Sequence, residues 1–244
     1  MIKAENMTFM YPDGHEALAA TNFHVARGSL VGLVGANGSG KSTLLAMLAG
    51  LYTPESGKLV VDGHVSPGCE ADVRGVCRLV MQDADLQILG GTVGEDVLLG
   101  RDDDRSEKSA RIMLDRFGLA GKWECPVHSL SWGMKRKLCL AGALLDQPGV
   151  LLLDEPFSGL DYPGILEMRR LLRGNREAGL TQVVAVHDLE CLIDLADCLF
   201  VLNKGTLVLN GRPEDVLDSV REHGVRPPCS WTACRSLEPW DSAE

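Results

Sequence analysis

Residues 35–43 read Gly-Ala-Asn-Gly-Ser-Gly-Lys-Ser-Thr, and residues 150–156 read Val-Leu-Leu-Leu-Asp-Glu-Pro. The first stretch fits G-x-x-x-x-G-K-[ST] at every fixed position. An apolar run, 30–34, precedes it, and Leu44-Leu45-Ala46-Met47-Leu48-Ala49 follows with the character of a helix, which is the strand–loop–helix setting the motif requires. Gly35, Gly38 and Gly40 allow sharp turns that aim backbone N–H groups at phosphate oxygens. The helix that starts near Lys41 adds its positive end. Lys41 has the reach for β- and γ-phosphates, and the Ser42 hydroxyl suits Mg²⁺. The candidate contacts are therefore Gly35, Asn37, Gly38, Ser39, Gly40, Lys41, Ser42 and Thr43. In the second stretch, four apolar residues predict a strand buried on both faces of a parallel sheet. Asp154 falls at the end of that strand, where α/β sheets place ligand-contacting groups, and it suits the Mg²⁺ shell. Glu155 points elsewhere and suits a base that polarises water. The pair implies a site that binds a nucleoside triphosphate with magnesium and hydrolyses it.

The remaining chain bounds this reading. At 244 residues the length admits one or two domains, and 45% hydrophobic residues with few aromatics predict a mainly aliphatic core. A net charge of −10 argues against a nucleic-acid partner, which needs concentrated basic charge. No apolar run approaches the ~18–20 residues that span a bilayer, and no leader pattern opens the chain. The expectation is a soluble, cytoplasmic chain. The eight cysteines show no C-x-x-C spacing, so they read as reduced, mostly buried side chains rather than zinc ligands. Asp102-Asp103-Asp104 reads as a solvated turn. Cys229 and Cys234 with His223 have soft-metal chemistry, but a Pro-rich, unstructured tail is the favoured reading of that segment.

The order of elements is legible in outline. Short strands separated by turn residues fill 2–34, a strand is expected at 58–61 and another at 76–81. Ala110, Met113, Leu114 and Phe117 at i, i+3, i+4, i+7 predict a helix over 107–119. Further helices are expected at 134–145, 164–177, about 189–196 and 213–220, with strands at 182–187, 199–202 and 206–209. The fold class is α/β: a parallel core, an N-terminal antiparallel β subdomain and a helical insertion near 84–145. One domain over 1–222 and a loose tail over 223–244 are expected.

With these residues in order, the chain resembles the ATP-binding-cassette ATPases, a branch of the P-loop NTPases, over about residues 2–220. The resemblance implies ATP and Mg²⁺ as ligands and gives individual positions their roles. Tyr11 matches the aromatic that stacks on adenine. Gln82 matches the glutamine that contacts Mg²⁺ and the attacking water and senses the membrane partner. Residues 130–134, Leu-Ser-Trp-Gly-Met, stand where the family has Leu-Ser-Gly-Gly-Gln; there Ser131 and Gly133 would cap the nucleotide held by a second subunit. Ser158-Gly159-Leu160-Asp161 matches a loop at the dimer interface, and His187 the switch histidine on the γ-phosphate.

Residues 80–100 refine the resemblance. Gln82, Asp85 and Gln87, then Thr92-Val93 and Glu95-Asp96-Val97, are similar to the ATPases of energy-coupling-factor importers, which take up cobalt, nickel or vitamins. This implies a head-to-tail dimer, homomeric or heteromeric. It also implies a transmembrane coupling protein docked near 82–96, a separate substrate-binding membrane subunit, and a peripheral place on the cytoplasmic face of the membrane. An ATPase of another transporter class and a soluble, non-transport cassette ATPase are the competing readings. The signature departs from the family twice. Met134 removes a polar contact. Trp132 replaces a glycine, and its ring either crowds the nucleotide held in trans or points away from it.

Overall fold

The computed structural model describes residues 1–101 and 104–240. Asp102 and Asp103 of the expected solvated turn lie outside them. Two compact units are formed: residues 1–79 with 149–244, and residues 80–148. In chain order the first unit begins with β1 (Ile2–Met10), β2 (Glu16–Val25), β3 (Leu30–Val34), α1 (Lys41–Leu48), β4 (Ser56–Val61), β5 (His64–Ser66), α2 (Glu70–Val76) and β6 (Cys77–Val80). The second unit contains α3 (Val93–Val97), α4 (Asp104–Arg116) and α5 (Trp132–Leu145). The first resumes with β7 (Val150–Asp154), α6 (Tyr162–Glu177), β8 (Thr181–Val186), β9 (Cys198–Asn203), β10 (Thr206–Gly211), α7 (Pro213–Val216) and α8 (Cys229–Cys234).

Two sheets organise the first unit. One is antiparallel, in the order β2-β1-β4-β5; the other runs β10-β9-β3-β8-β7-β6. In the second sheet β3 pairs in parallel with β8 and β9, and β7 with β8. Burial follows from this placement. β1 alternates buried and exposed side chains, as a strand with one wet face does. β3 and β8 are buried throughout, and β7 is buried up to Asp154. Helix α1 is packed with residues of both sheets: Leu44, Leu45, Met47 and Leu48 join Leu18 and Phe23 of one and Leu33, Leu152 and Ala185 of the other. Each such leucine, methionine or phenylalanine side chain contributes about 1.5–3 kcal/mol on burial. The loop 35–40 is thereby anchored at both ends, by β3 and by α1. Burial also pushes the thiols of Cys77 and Cys139 up to about 12, so both stay protonated.

The second unit is held by its own polar contacts. Thr92 caps α3: its side chain accepts from the Glu95 amide, and Glu95 reaches back to the Thr92 amide. Ala110, Leu114 and Phe117 are buried, as the helical period predicts. Arg101 joins Asp146 at 2.5 Å.

Three stretches differ from expectation. Residues 189–196 form successive turns, not a helix. The carbonyl of Cys191 accepts from Arg169 at 2.7 Å and that of Leu195 from Arg176 at 3.3 Å, so guanidinium groups of α6 take acceptors a helix would use itself. The helix expected over 213–220 closes at Val216. The tail, expected to be loose, carries α8, and its Trp231 is buried with the indole N–H donated to Asp218 at 2.8 Å.

Candidate active site

The loop after β3 has the shape of an anion cradle. Gly40 adopts φ +104°, and a Cβ there would lie 2.9 Å from the Ala17 carbonyl oxygen. A Cβ on Gly35 would lie 2.2 Å from the Leu202 carbonyl oxygen. The first amides of α1 have no intrahelical acceptor and are open to a ligand. The Ser39 hydroxyl is buried in the loop without a partner in the structure. Lys41 is buried, and its ammonium donates to the carbonyls of Gly35 at 2.8 Å and Ala36 at 3.3 Å. Burial lowers its pKa from the ordinary value, while the carboxylates of Glu155 and Asp154 oppose that effect. A buried cation held by neutral acceptors is matched to a phosphate. Ser42 is exposed and Asp154 half-buried, and hydroxyl and carboxylate oxygens are the donors Mg²⁺ takes. The residues present therefore fit a magnesium-bound nucleotide.

Three parallel strands gather the chemistry. Asp154 ends β7, and Glu155 follows with φ +50°, a conformation that costs a non-glycine residue about 1–2 kcal/mol. Its amide donates to the Ala185 carbonyl of β8 at 2.9 Å, which fixes the turn. The Glu155 carboxylate is nearly buried, and its Oε2 lies 2.8 Å from Nδ1 of the exposed His187, just past β8. A cavity of about 310 Å³ adjoins this pair, lined also by Phe157, Ser158, Gly159 and Cys191. Tyr11 stands beyond β1, and its hydroxyl lies 2.8 Å from the Thr43 hydroxyl of α1. The structure thus brings Tyr11, the loop 35–43, Asp154, Glu155 and His187 into one unit around one strand end. Asp161 caps α6, accepting from the Gly164 amide at 3.0 Å.

The other expected site residues belong to the second unit. Gln82 is exposed, two residues beyond the end of β6. Ser131 caps α5, its Oγ accepting from the Met134 amide at 3.3 Å, which leaves the hydroxyl proton to donate elsewhere. Gly133 lies in the first turn of α5 with open space where a Cβ would be. Sequence reasoning missed Arg136. It is buried, and it donates to the Gln82 carbonyl at 3.1 Å. A basic residue in a helix reads as a solvated one, so no signal pointed to it.

Comparison with known proteins bears on this geometry. The family model described as ABC transporter matches residues 18–158. A cobalt import ATP-binding protein CbiO of Rhodobacter capsulatus is 36% identical over 239 residues, covering 93% of this chain and 85% of the relative. The energy-coupling factor transporter ATP-binding protein EcfA of Methanocaldococcus jannaschii is 34% identical over 239 residues, covering 93% and 86%. Among solved structures, cbiO1 from Clostridium perfringens, described as part of the ABC transporter complex cbiONQ, superposes with a TM-score of 0.79. It is 31% identical, with 96% of this chain and 95% of that one covered.

Proposed function

The chain belongs to the ABC transporter family of ATPases, and on that premise we propose that it powers a multi-subunit membrane importer of the energy-coupling-factor type. It is a Mg²⁺-dependent, ATP-hydrolysing subunit. The importer reading is supported by relatives named for energy coupling and for cobalt import, and by the run of residues from Gln82 to Val97. Cobalt, nickel or a vitamin is the cargo class, bound by a membrane subunit and moved through a transmembrane coupling protein. The chain sits peripherally at the cytoplasmic face.

The observation that carries the catalytic assignment is the 2.8 Å contact of Glu155 with His187, beside a lysine whose pKa feels the Glu155 charge. Tyr11 stacks on the adenine. Lys41 and the amides of residues 35–43 hold the phosphates. Ser42 and Asp154 would supply oxygens to Mg²⁺, which when bound would neutralise phosphate charge, and Gln82 keeps the part in metal and water contact that the family resemblance gives it. Glu155 takes a proton from water as the water oxygen bonds to the γ-phosphorus and ADP departs. His187 orients the carboxylate and meets the γ-phosphate. Ser131 and Gly133 cap the nucleotide of a second, head-to-tail subunit, favoured by the positive end of α5.

Glu155→Gln tests this. The amide keeps the shape but cannot accept the proton, so turnover falls roughly 10²-fold or more while ATP binding persists. Trapped with Mg-ATP, the variant moves from monomer to dimer in size-exclusion chromatography with light scattering. Wild-type turnover in this variant would end the assignment of Glu155.

A further inference from the structure

Trp132 is the first residue of α5, one helical turn before Arg136. The Arg136 guanidinium lies over its indole, 3.9 Å from the ring centroid. Trp132 is 39% exposed and Arg136 only 3%. Arg136 in turn donates to the Gln82 carbonyl at 3.1 Å. Its neighbours on α5 hold the same segment: Lys135 pairs with Asp85 at 2.5 Å, and the Cys139 thiol approaches the Ala84 carbonyl at 4.0 Å. Helix α5 therefore grips residues 82–85 at three points, and the indole covers the guanidinium that makes one of them. A glycine at 132 would leave that guanidinium face to water. Cation–π contact strengthens as the cation is desolvated, and a guanidinium stacks flat on an indole where an ammonium cannot.

We propose that Trp132 is a positioning residue for Gln82, acting through Arg136, so that the start of the signature helix and the Gln82 segment move as one piece. The inference rests on the role given to Gln82 above. It turns the departure of the signature from its family pattern into a second fastening for the residue that reads magnesium and partner.

Two measurements on the full chain decide it. Hydrogen exchange reads the amides of residues 81–88 directly; steady-state ATPase reads the consequence. In Trp132→Ala, exchange there quickens about fivefold, kcat falls by a similar factor, and KM for Mg-ATP stays within about twofold. Trp132→Phe, which keeps a ring, restores most of both. Arg136→Lys, which keeps charge but loses the planar stack, behaves like Trp132→Ala, and combining the two adds little more. Unchanged exchange in Trp132→Ala overturns the proposal, as do additive losses, a phenylalanine variant as impaired as alanine, or a rise in turnover. A wild-type protein without ATPase activity would defeat the functional reading instead, and the exchange arm would still decide this one.

Discussion

Lys41 folds back on its own loop, its ammonium shared between the carbonyls of Gly35 and Ala36. That posture costs it hydration, and its pKa is lowered although Glu155 and Asp154 oppose the effect. A polyphosphate adds further negative charge beside the ammonium and raises the pKa of the same group. Between the two values, binding must take up a proton; affinity therefore weakens as pH rises through the lowered value, sooner than for a free lysine near 10.4. Calorimetric titration of ATP on the alkaline side of neutrality, in two buffers of different ionisation enthalpy, should give heats that differ in the sense of uptake. The difference should vanish in Lys41→Met. Equal heats in both buffers for the wild-type chain would mean that Lys41 does not change protonation on binding. At this scale the sequence was informative where chemistry is dictated by type and spacing, as in the loop 35–43, and silent where position decides. Nothing about Arg136 as a letter says that it is buried over Gln82, and nothing about Tyr11 says that its hydroxyl meets Thr43.

Among the elements, β3, β7 and β8 were legible because strands buried on both faces read as unbroken apolar runs. Helix α4 was legible for its period, and α3 could have been found from Thr92-Val93-Gly94-Glu95, a capping box that its short span concealed. Residues 189–196 misled because Leu189, Leu192, Ile193 and Ala196 keep a helical period while Arg169 and Arg176 claim the carbonyls. The turn from β3 into α1 gives an element-scale prediction. Gly40 combines positive φ with a Cβ position 2.9 Å from the Ala17 carbonyl oxygen, whereas Gly38, also at positive φ, has open space. Gly40→Ala must move backbone of β2 as well as strain its own. It should lose about 1–3 kcal/mol of stability and most ATP binding. Gly38→Ala bears the strain alone and should lose less stability. Thermal denaturation and ATP titration of the pair check this; equal losses would show that the Ala17 contact does not matter.

For the molecule as a whole, Lys41, Asp154, Glu155 and His187 lie in the first unit, and Gln82, the signature and the run 80–97 in the second. No helix among the described residues is long and apolar enough to cross a membrane. Under the proposed function, work done at the nucleotide leaves through a docking surface. In the second unit Leu86 and Leu89 are 69% and 75% exposed, with Met81 and Leu99 also open to solvent. The polar residues around them are occupied in shaping the loop. The Gln87 side-chain Oε1 accepts from the Met81 amide, the Asp96 carboxylate accepts from the amides of Leu89 and Gly90, and the Glu95 carboxylate from those of Gly91 and Thr92. Changing Gln87 or Asp96 would thus disturb the loop itself, while Leu86 and Leu89 are the side chains free to meet a partner. Under the proposed function, a cytoplasmic helix of the coupling protein, with an apolar face, is the occupant such a pair suits. Replacing both leucines by aspartate should cut uptake at least tenfold in cells carrying the assembled transporter, because desolvating two carboxylates at an interface costs more than the contact returns. Basal ATPase of the isolated subunit should stay within about twofold of wild type, since neither leucine is among the residues assigned to nucleotide, metal or water. Copurification of the variant with the membrane subunits separates lost docking from lost transmission. Normal uptake with a stably expressed double variant would remove this surface from the coupling path and leave the assignment of Lys41, Glu155 and His187 intact.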